Sequence, residues 1–218
     1  MRDALLELVP DSPVHATMRG LLLDPTTDLV GDERGACVID RARGLGAVIG
    51  APSAATLASA AGAIEWVSRR PWPSLSGAWE RARVAIPGDT TPHPEASLAR
   101  DVHALTADDL ARVDPALVPE LELALARGAL TRARSSDDAI VCVAYVVTAT
   151  EAFADLGVDT RAAHRRRGHA RAVTASLVAA VIASDRTPVM GALDSNRASI
   201  ALADSLGFVP VGTLWVAP

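Results

Sequence analysis

The chain has 218 residues, 50% of them hydrophobic, and a formal net charge of −5 from 21 basic and 26 acidic side chains. This composition excludes wholesale disorder and provides enough apolar surface for one large domain or two small ones. The negative charge argues against a polycation that coats nucleic acid, and no apolar run approaches the roughly 18 to 20 residues that span a membrane. The N-terminus does not resemble a signal peptide, so we expect a cytoplasmic protein.

Cysteine and histidine are too sparse to predict a metal site. Cys37 and Cys142 each lie in an apolar, strand-like run, which favours buried free thiols in a reducing compartment. His15, His93 and His103 are dispersed along the chain, so no metal is expected.

The first half of the chain gives weak secondary-structure signals. Short apolar runs at 36–40 and 46–50 predict two strands joined by a turn, and Ser53 is a good N-cap for a helix after them. A further strand is expected at 63–67. The stretch 87–97 holds three prolines and one glycine, which is typical of a linker.

The second half shows a clearer order of elements. Thr106 and Asp109 have the spacing of a capping box at the start of one helix, and a second helix is expected from about Ala116 to Arg127, ended by Gly128. The remaining predicted elements are strands at 129–134, 139–147 and 151–160, a helix at 168–184, a strand at 188–193, a helix at 196–205 and a strand at 208–216. This order predicts a mixed α/β (α+β) fold. We therefore expect an N-terminal α/β subdomain at 1–95 and a second domain at 96–218.

An arginine-rich turn and a helix follow the strand that ends at Thr160. The turn carries the pattern R-x-x-G-x-A, formed by Arg165, Gly168 and Ala170. Backbone N–H groups at a helix start lack intrahelical partners, and the helix dipole is positive there, so a pyrophosphate can bind. Small residues let the phosphates approach the backbone. A solvated, arginine-rich helix start would show the same pattern, so the motif alone leaves both interpretations open.

A second motif occupies residues 194–212, where Asn196 opens a short helix that ends in the LGF sequence at 206–208. Together the two motifs resemble the GNAT superfamily of acyl-CoA-dependent N-acyltransferases over roughly residues 98–214. The string T-x-x-x-HRRRGHA is similar to a subgroup with a two-part chain, in which a degenerate N-terminal half precedes the GNAT half. The resemblance implies a mostly antiparallel central sheet flanked by helices, and an acetyltransferase activity.

The resemblance also implies acetyl-CoA as the cosubstrate and assigns residues to it. Backbone groups of Val158 and Thr160 would pair with the pantetheine arm, and Asn196 would reach that arm near its thiol, although Asn196 is equally suited to be a helix N-cap. The pyrophosphate would be held by Arg165, Arg166, Arg167, Gly168, His169, Ala170 and Arg171. The second substrate would be a primary amine of unknown identity. Neither nucleic acid nor membrane is expected as a partner, and a homodimer stays open.

The catalytic groups depart from the usual pattern of the superfamily. Many members place a tyrosine seven residues after the asparagine, where it protonates the departing thiolate; that position is Ala203 here, and the chain has one tyrosine, Tyr145. Either another donor acts, or the protein is a non-catalytic acyl-CoA-binding or sensing module. Asp155 lies where relatives often carry a glutamate base, so we expect it to be the catalytic base. Asp159 shares its strand face, Glu151 is a further candidate, and a role as solvated acids on a strand edge fits equally well.

Overall fold

The computed structural model describes residues 1–60, 65–72, 74–75, 78–89 and 101–217. Its helices are α1 (Arg2–Leu8), α2 (Ala16–Leu23), α3 (Ala54–Ala60), α4 (Val118–Ala126), α5 (His169–Ile182) and α6 (Arg197–Ser205). Its strands are β1 (Asp28–Asp32), β2 (Gly35–Asp40), β3 (Leu45–Gly50), β4 (Glu65–Ser68), β5 (Glu80–Pro87), β6 (Val102–His103), β7 (Thr131–Ser136), β8 (Ala139–Ala149), β9 (Phe153–Thr160), β10 (Thr187–Leu193) and β11 (Phe208–Ala217). None of the helices in these ranges combines the length and the apolarity that crossing a membrane requires.

The strands of the described residues form one sheet in the order β1-β2-β3-β4-β11-β5-β10-β9-β8-β7-β6. Two neighbouring pairs, β3 with β4 and β9 with β10, run parallel, and the other neighbours run antiparallel. Helices pack against this sheet, so the predicted fold class, a mixed and mostly antiparallel sheet flanked by helices, is confirmed.

The two halves of the sheet share one local plan. Three antiparallel strands, β1 to β3, are followed by α3 and by β4, which is parallel to β3. Likewise β7 to β9 are followed by α5 and by β10, which is parallel to β9. The last strand of each half pairs with the other half of the sheet: β5 of the first half pairs with β10, and β11 of the second half pairs with β4. This exchange joins the halves into one sheet; the division into domains at residue 95 lies outside the described residues and stays a prediction.

Several predicted elements are confirmed in the first half, and four were missed. The strands at 36–40 and 46–50 are β2 and β3, and the strand expected at 63–67 is described at Glu65–Ser68. Ser53 caps α3 by accepting the Thr56 N–H at 3.2 Å. The sequence analysis missed α1, α2, β1 and β5. Most of the linker predicted at 87–97 lies outside the described residues.

The second half follows the predicted order closely. The capping box is present, because Asp109 Oδ2 accepts the Thr106 N–H at 3.0 Å. The expectation of an ordinary helix there is corrected: the segment Ala107–Arg112 is a 3-10 helix, which ends within two turns. Gly128, with a φ of +67°, ends the helical segment as expected.

The helices α5 and α2 cover opposite faces of the sheet at β8 and β9. Ala154 and Leu156 of β9 are buried in a cluster with Val173 and Leu177 of α5. The residues between them face the other way, because side chains alternate along a strand, and α2 lies on that second face. Its buried side chains Met18, Leu21 and Leu22 belong to a separate apolar cluster. This arrangement decides which residues of β9 face which half of the chain.

Candidate active site

A gap opens between β9 and β10. The two strands pair at Phe153–Asp155 with Thr187–Val189, and beyond these residues β10 pairs with β5 while β9 pairs with β8. Residues 156–160 therefore present a strand edge that β10 does not cover. Such an edge can pair with an extended ligand that carries amide groups.

The predicted pantetheine contacts, Val158 and Thr160, lie on this open edge. The side chain of Val158 packs against the apolar cluster under α5, and the Thr160 hydroxyl lies 3.1 Å from the Cys142 Sγ. Both side chains are thus engaged within the protein. What these two residues offer to a ligand is their backbone, as the resemblance implies.

The helix α5 begins at an uncapped and open turn. Gly168 is its N-cap with a φ of +79°, and among the described residues no side chain caps this helix end. A Cβ placed on Gly168 would have no heavy atom within 4 Å. The unpaired N–H groups of the first turn and the helix dipole make this end attractive to an anion.

Basic side chains surround this turn. The arginines at 165, 166, 167 and 171 are all exposed, and Arg165 Nε donates to the Thr160 carbonyl oxygen at 3.2 Å. His169 is half-buried, and burial together with the charge of Arg134 lowers its pKa. The imidazole is therefore neutral at neutral pH, so the arginines provide the positive charge of the turn.

The corresponding helix start in the N-terminal half is already filled. Asp32 at the end of β1 accepts hydrogen bonds from the Thr56 hydroxyl at 2.5 Å and from the Ser53 N–H at 2.7 Å, both at the start of α3. These bonds, the Thr56 bond foremost, hold the Asp32 pKa well below its usual range. A carboxylate of the chain itself thus occupies the start of α3, whereas no side chain in the part of the chain that the structure describes caps the start of α5.

The two predicted acids of β9 lie on the face opposite α5. Asp155 Oδ2 accepts a hydrogen bond of 2.7 Å from the Thr17 hydroxyl of α2. Burial raises the Asp155 pKa to about 6, and the negative charge of Glu65 adds to the effect. Burial also raises the pKa of Asp159, while the Arg165 charge opposes that shift. Both carboxyl groups therefore hold a proton more readily than a solvated aspartate does.

Glu151, the further candidate base, is engaged elsewhere. It precedes β9 and forms two hydrogen bonds with Arg19, at 2.7 and 2.9 Å. These bonds lower its pKa to about 2. A carboxylate with so low a pKa is a weak base, so Asp155 is the better candidate on this strand.

Tyr145 and Ala203 are both buried. Tyr145 is 4% exposed and pairs with Gly157 across β8 and β9, where a Cβ on Gly157 would lie 2.9 Å from the tyrosine Cζ. Burial, followed by the charge of Glu120, raises the Tyr145 pKa. Ala203 is 7% exposed and packs in the cluster under α5, so its small side chain is part of the core. That catalysis does not use this tyrosine stays a prediction.

Asn196 is the N-cap of α6, the structural role that its place in the sequence predicts. Its Oδ1 accepts the Ser199 N–H at 3.1 Å and caps α6, and the residue is exposed just beyond the end of β10. Its contact with an acyl-CoA stays a prediction.

In the described ranges, no group of three or more His, Cys, Asp or Glu side chains is arranged to hold a metal ion.

Sequence reasoning missed the groups that approach Asp155 from other parts of the chain. These groups are Thr17 and Glu65, which come from α2 and β4 in the first half. None of them belongs to a motif near β9. Pairing over such sequence distances leaves no local pattern, so these residues could be found only in the folded chain.

Comparison with known proteins places this arrangement in a family. Residues 132–215 match the family model described as GNAT acetyltransferase. This segment, which contains nearly all of β7, β8 to β10, the α5 turn and α6, matches that family, and the resemblance to the GNAT superfamily found in the sequence is confirmed. The family is one of acyltransferases that use acetyl-CoA. No curated protein matches the chain significantly.

Solved structures share the fold over nearly the whole chain. A protein assigned to the GNAT acetyltransferase family from Novosphingobium aromaticivorans DSM 12444 is 20% identical, with a TM-score of 0.72 and coverage of 95% of this chain and 97% of that one. A GCN5-related N-acetyltransferase-like protein from Streptococcus suis 89/1591 is 16% identical, with a TM-score of 0.69 and coverage of 99% and 97%. A tandem GNAT protein from the clavulanic acid biosynthesis pathway is 16% identical, with a TM-score of 0.57 and coverage of 99% and 93%. At these identities the likeness concerns the fold.

Proposed function

We propose that the protein is an N-acetyltransferase that transfers an acetyl group from acetyl-CoA to a primary amine by direct attack. The observation that carries this proposal is the combination, within one family segment, of an uncapped helix start at Gly168 and an open strand edge at 156–160. Phosphates suit the first feature and an extended amide-bearing arm suits the second. The open space above Gly168, where a Cβ would meet no heavy atom within 4 Å, supports the placement of the phosphates against this turn.

Each part of the predicted site then has one role. The N–H groups that start α5 and the exposed arginines at 165, 166, 167 and 171 would bind the pyrophosphate, with Ala170 leaving room beside them. The backbone of Val158 and Thr160 would bind the pantetheine arm, and Asn196 would lie near its thiol end. The bound acetyl-CoA supplies a reactive thioester. Positioning the amine beside it can contribute several kcal/mol, roughly 7 to 11 in the best cases.

The acidic face of β9 would receive the amine. Asp155 and Asp159 attract a cationic substrate, and the Asp155 carboxylate would take the proton that the amine loses as its nitrogen attacks. The new C–N bond forms while the C–S bond of the thioester breaks. The departing thiolate would take its proton from water, because position 203 is a buried alanine.

A non-catalytic acyl-CoA-binding module is the second candidate function. It is favoured by the packing of Ala203 in the core and by the raised pKa of the buried Tyr145, which together leave no side chain in the usual donor role. In that case the same turn and strand edge would bind acyl-CoA without turnover.

We also propose that the N-terminal half is a degenerate copy of the GNAT half, with one CoA site per chain. The shared strand plan and the exchange of β5 and β11 support this idea. Asp32 supports the single site, because its carboxylate fills the helix start at α3 where a phosphate would otherwise bind.

The test measures binding and turnover separately. Calorimetry with acetyl-CoA should give one site per chain, and a thiol-reactive dye should detect free CoA when a panel of primary amines is added. Asp155→Asn should keep the affinity for acetyl-CoA and lose turnover by roughly a hundredfold or more. Binding without CoA release from any amine would favour the non-catalytic module, two sites per chain would contradict the single-site assignment, and no binding would refute both functions.

A further inference from the structure

The Asp155 carboxylate is held by a residue from the other half of the chain. Thr17 Oγ1 of α2 donates to Asp155 Oδ2 at 2.7 Å, across 138 positions of sequence. Both residues are half-buried, and the bond lies on the face of β9 opposite α5. The first half of the chain therefore touches the group proposed to act as the base.

Close packing of α2 on the sheet fixes this contact. Gly20, one turn after Thr17, lies so near β8 that a Cβ placed on it would be 2.8 Å from the Thr148 Cβ. Thr148 is in turn the register partner of Asp155 on β9. Because residues three apart on a helix share a face, seating Gly20 on Thr148 brings Thr17 over Asp155.

The bond to Thr17 favours the ionised carboxylate and fixes its orientation. Among the groups that face Asp155, Glu65 of β4 disfavours the ionised form, as does burial, while the Leu156 N–H and Thr17 favour it. Asp159 on the same strand face and Tyr145 on β8 are further titratable groups on this side of the described sheet. Thr17 is the side chain among them that donates to Oδ2.

We propose that Thr17 is a positioning residue for acyl transfer, which holds the Asp155 carboxylate in its reactive orientation, so that the N-terminal half completes the active site. The inference rests on the proposed function and deepens it. It gives the first 95 residues a role in catalysis although they lack the phosphate-binding turn.

The experiment removes the hydroxyl and keeps the shape of the side chain. Thr17→Val should lower kcat by roughly tenfold or more, leave the KM for acetyl-CoA unchanged, and shift the acidic limb of the kcat/KM pH profile to higher pH. Thr17→Ser keeps the donor and should restore both the rate and the profile. Thr26→Val, an exposed threonine that donates to Asp24, is the matched control and should change neither.

A mutant cycle separates this inference from the proposed base. In an Asp155→Asn background Thr17→Val should have no further effect on kcat, because the group it positions is gone. A Thr17→Val enzyme with the normal rate and profile would overturn the positioning role. Full activity in Asp155→Asn would instead overturn the base assignment, and the absence of turnover from the unmodified chain would overturn both. Should Thr17→Val fail to fold, Thr17→Ala provides the same readings.

Discussion

Substitution of Gly168 tests whether the start of α5 binds phosphate. The residue has a φ of +79°, a conformation that side-chain-bearing residues adopt at a cost of about 1–2 kcal/mol. A Cβ there meets no heavy atom within 4 Å, so the added bulk lies outside the fold, in the space where a phosphate would approach. Gly168→Ala should therefore lower the melting temperature by a few degrees, and Gly168→Trp should abolish CoA binding in a folded protein.

Gly128 provides a matched control. It has a φ of +67° and equally open space around its Cβ, but it ends the helical segment α4, away from the turn. Gly128→Ala and Gly128→Trp should cost similar stability and leave the CoA affinity unchanged. Because a bond to a charged group contributes about 1.5–3 kcal/mol, loss of two such bonds predicts a decrease in CoA affinity of at least a hundredfold for Gly168→Trp.

Calorimetry measures the affinity, and thermal unfolding measures the stability. A folded Gly168→Trp variant that binds acetyl-CoA with normal affinity would refute the assignment of the phosphate site. Equal loss of affinity in the Gly128 and Gly168 variants would show that strain, rather than blocked access, is responsible.

Three further predictions concern the stability of the fold and are checked by denaturant unfolding. Gly157→Ala should destabilise the protein by about 1–3 kcal/mol, because the new Cβ would lie 2.9 Å from the Tyr145 Cζ. The control is Gly191→Ala on β10, which should be nearly neutral because the space around its Cβ is open. Equal destabilisation by the two substitutions would contradict the packing argument. Arg127→Met should destabilise by about 1.5–3 kcal/mol, since it removes one of the two arginines, Arg127 at 2.9 Å and Arg43 at 3.4 Å, that pair with the Asp40 side chain, which is 3% exposed; a neutral result would contradict this reading. The Asp155 pKa of about 6 lies above its value in the unfolded chain, so the stability that this residue contributes is present at low pH and is lost as the pH rises through 6. The free energy of unfolding of Asp155→Asn, measured relative to the unmodified protein, should therefore be more favourable at pH 8 than at pH 4, by up to about 3 kcal/mol. The same pH dependence of stability in both proteins would exclude the raised pKa.

Local patterns in the sequence were sufficient for the second half of the fold. Strand alternation placed Asp155 and Asp159 on one face of β9, and the glycine in R-x-x-G-x-A placed a helix start at 168. Both features depend on residues that are close to each other in the sequence, within one strand or at the start of one helix. Such signals are visible in a single sequence because the backbone geometry alone produces them.

The helix α2 and the strand β5 could be found only in the tertiary structure. α2 has eight residues, and isolated helices shorter than roughly 12–15 residues are marginal in water. Burial of Met18, Leu21 and Leu22 in the core stabilises it instead. β5 in turn lies between β10 and β11, both more than 100 positions later in the sequence, so its pairing leaves no local signal.

The contact between Thr17 and Asp155 shows most clearly what the sequence left undetermined. The resemblance to the GNAT superfamily identified Asp155 as a candidate base, but nothing in the sequence indicated that Thr17, 138 positions earlier, would meet it. That contact depends on the closeness of Gly20 to Thr148 and on the apolar burial of α2. Packing energies of this kind arise between segments distant in sequence, and they exist only once the two halves share one sheet.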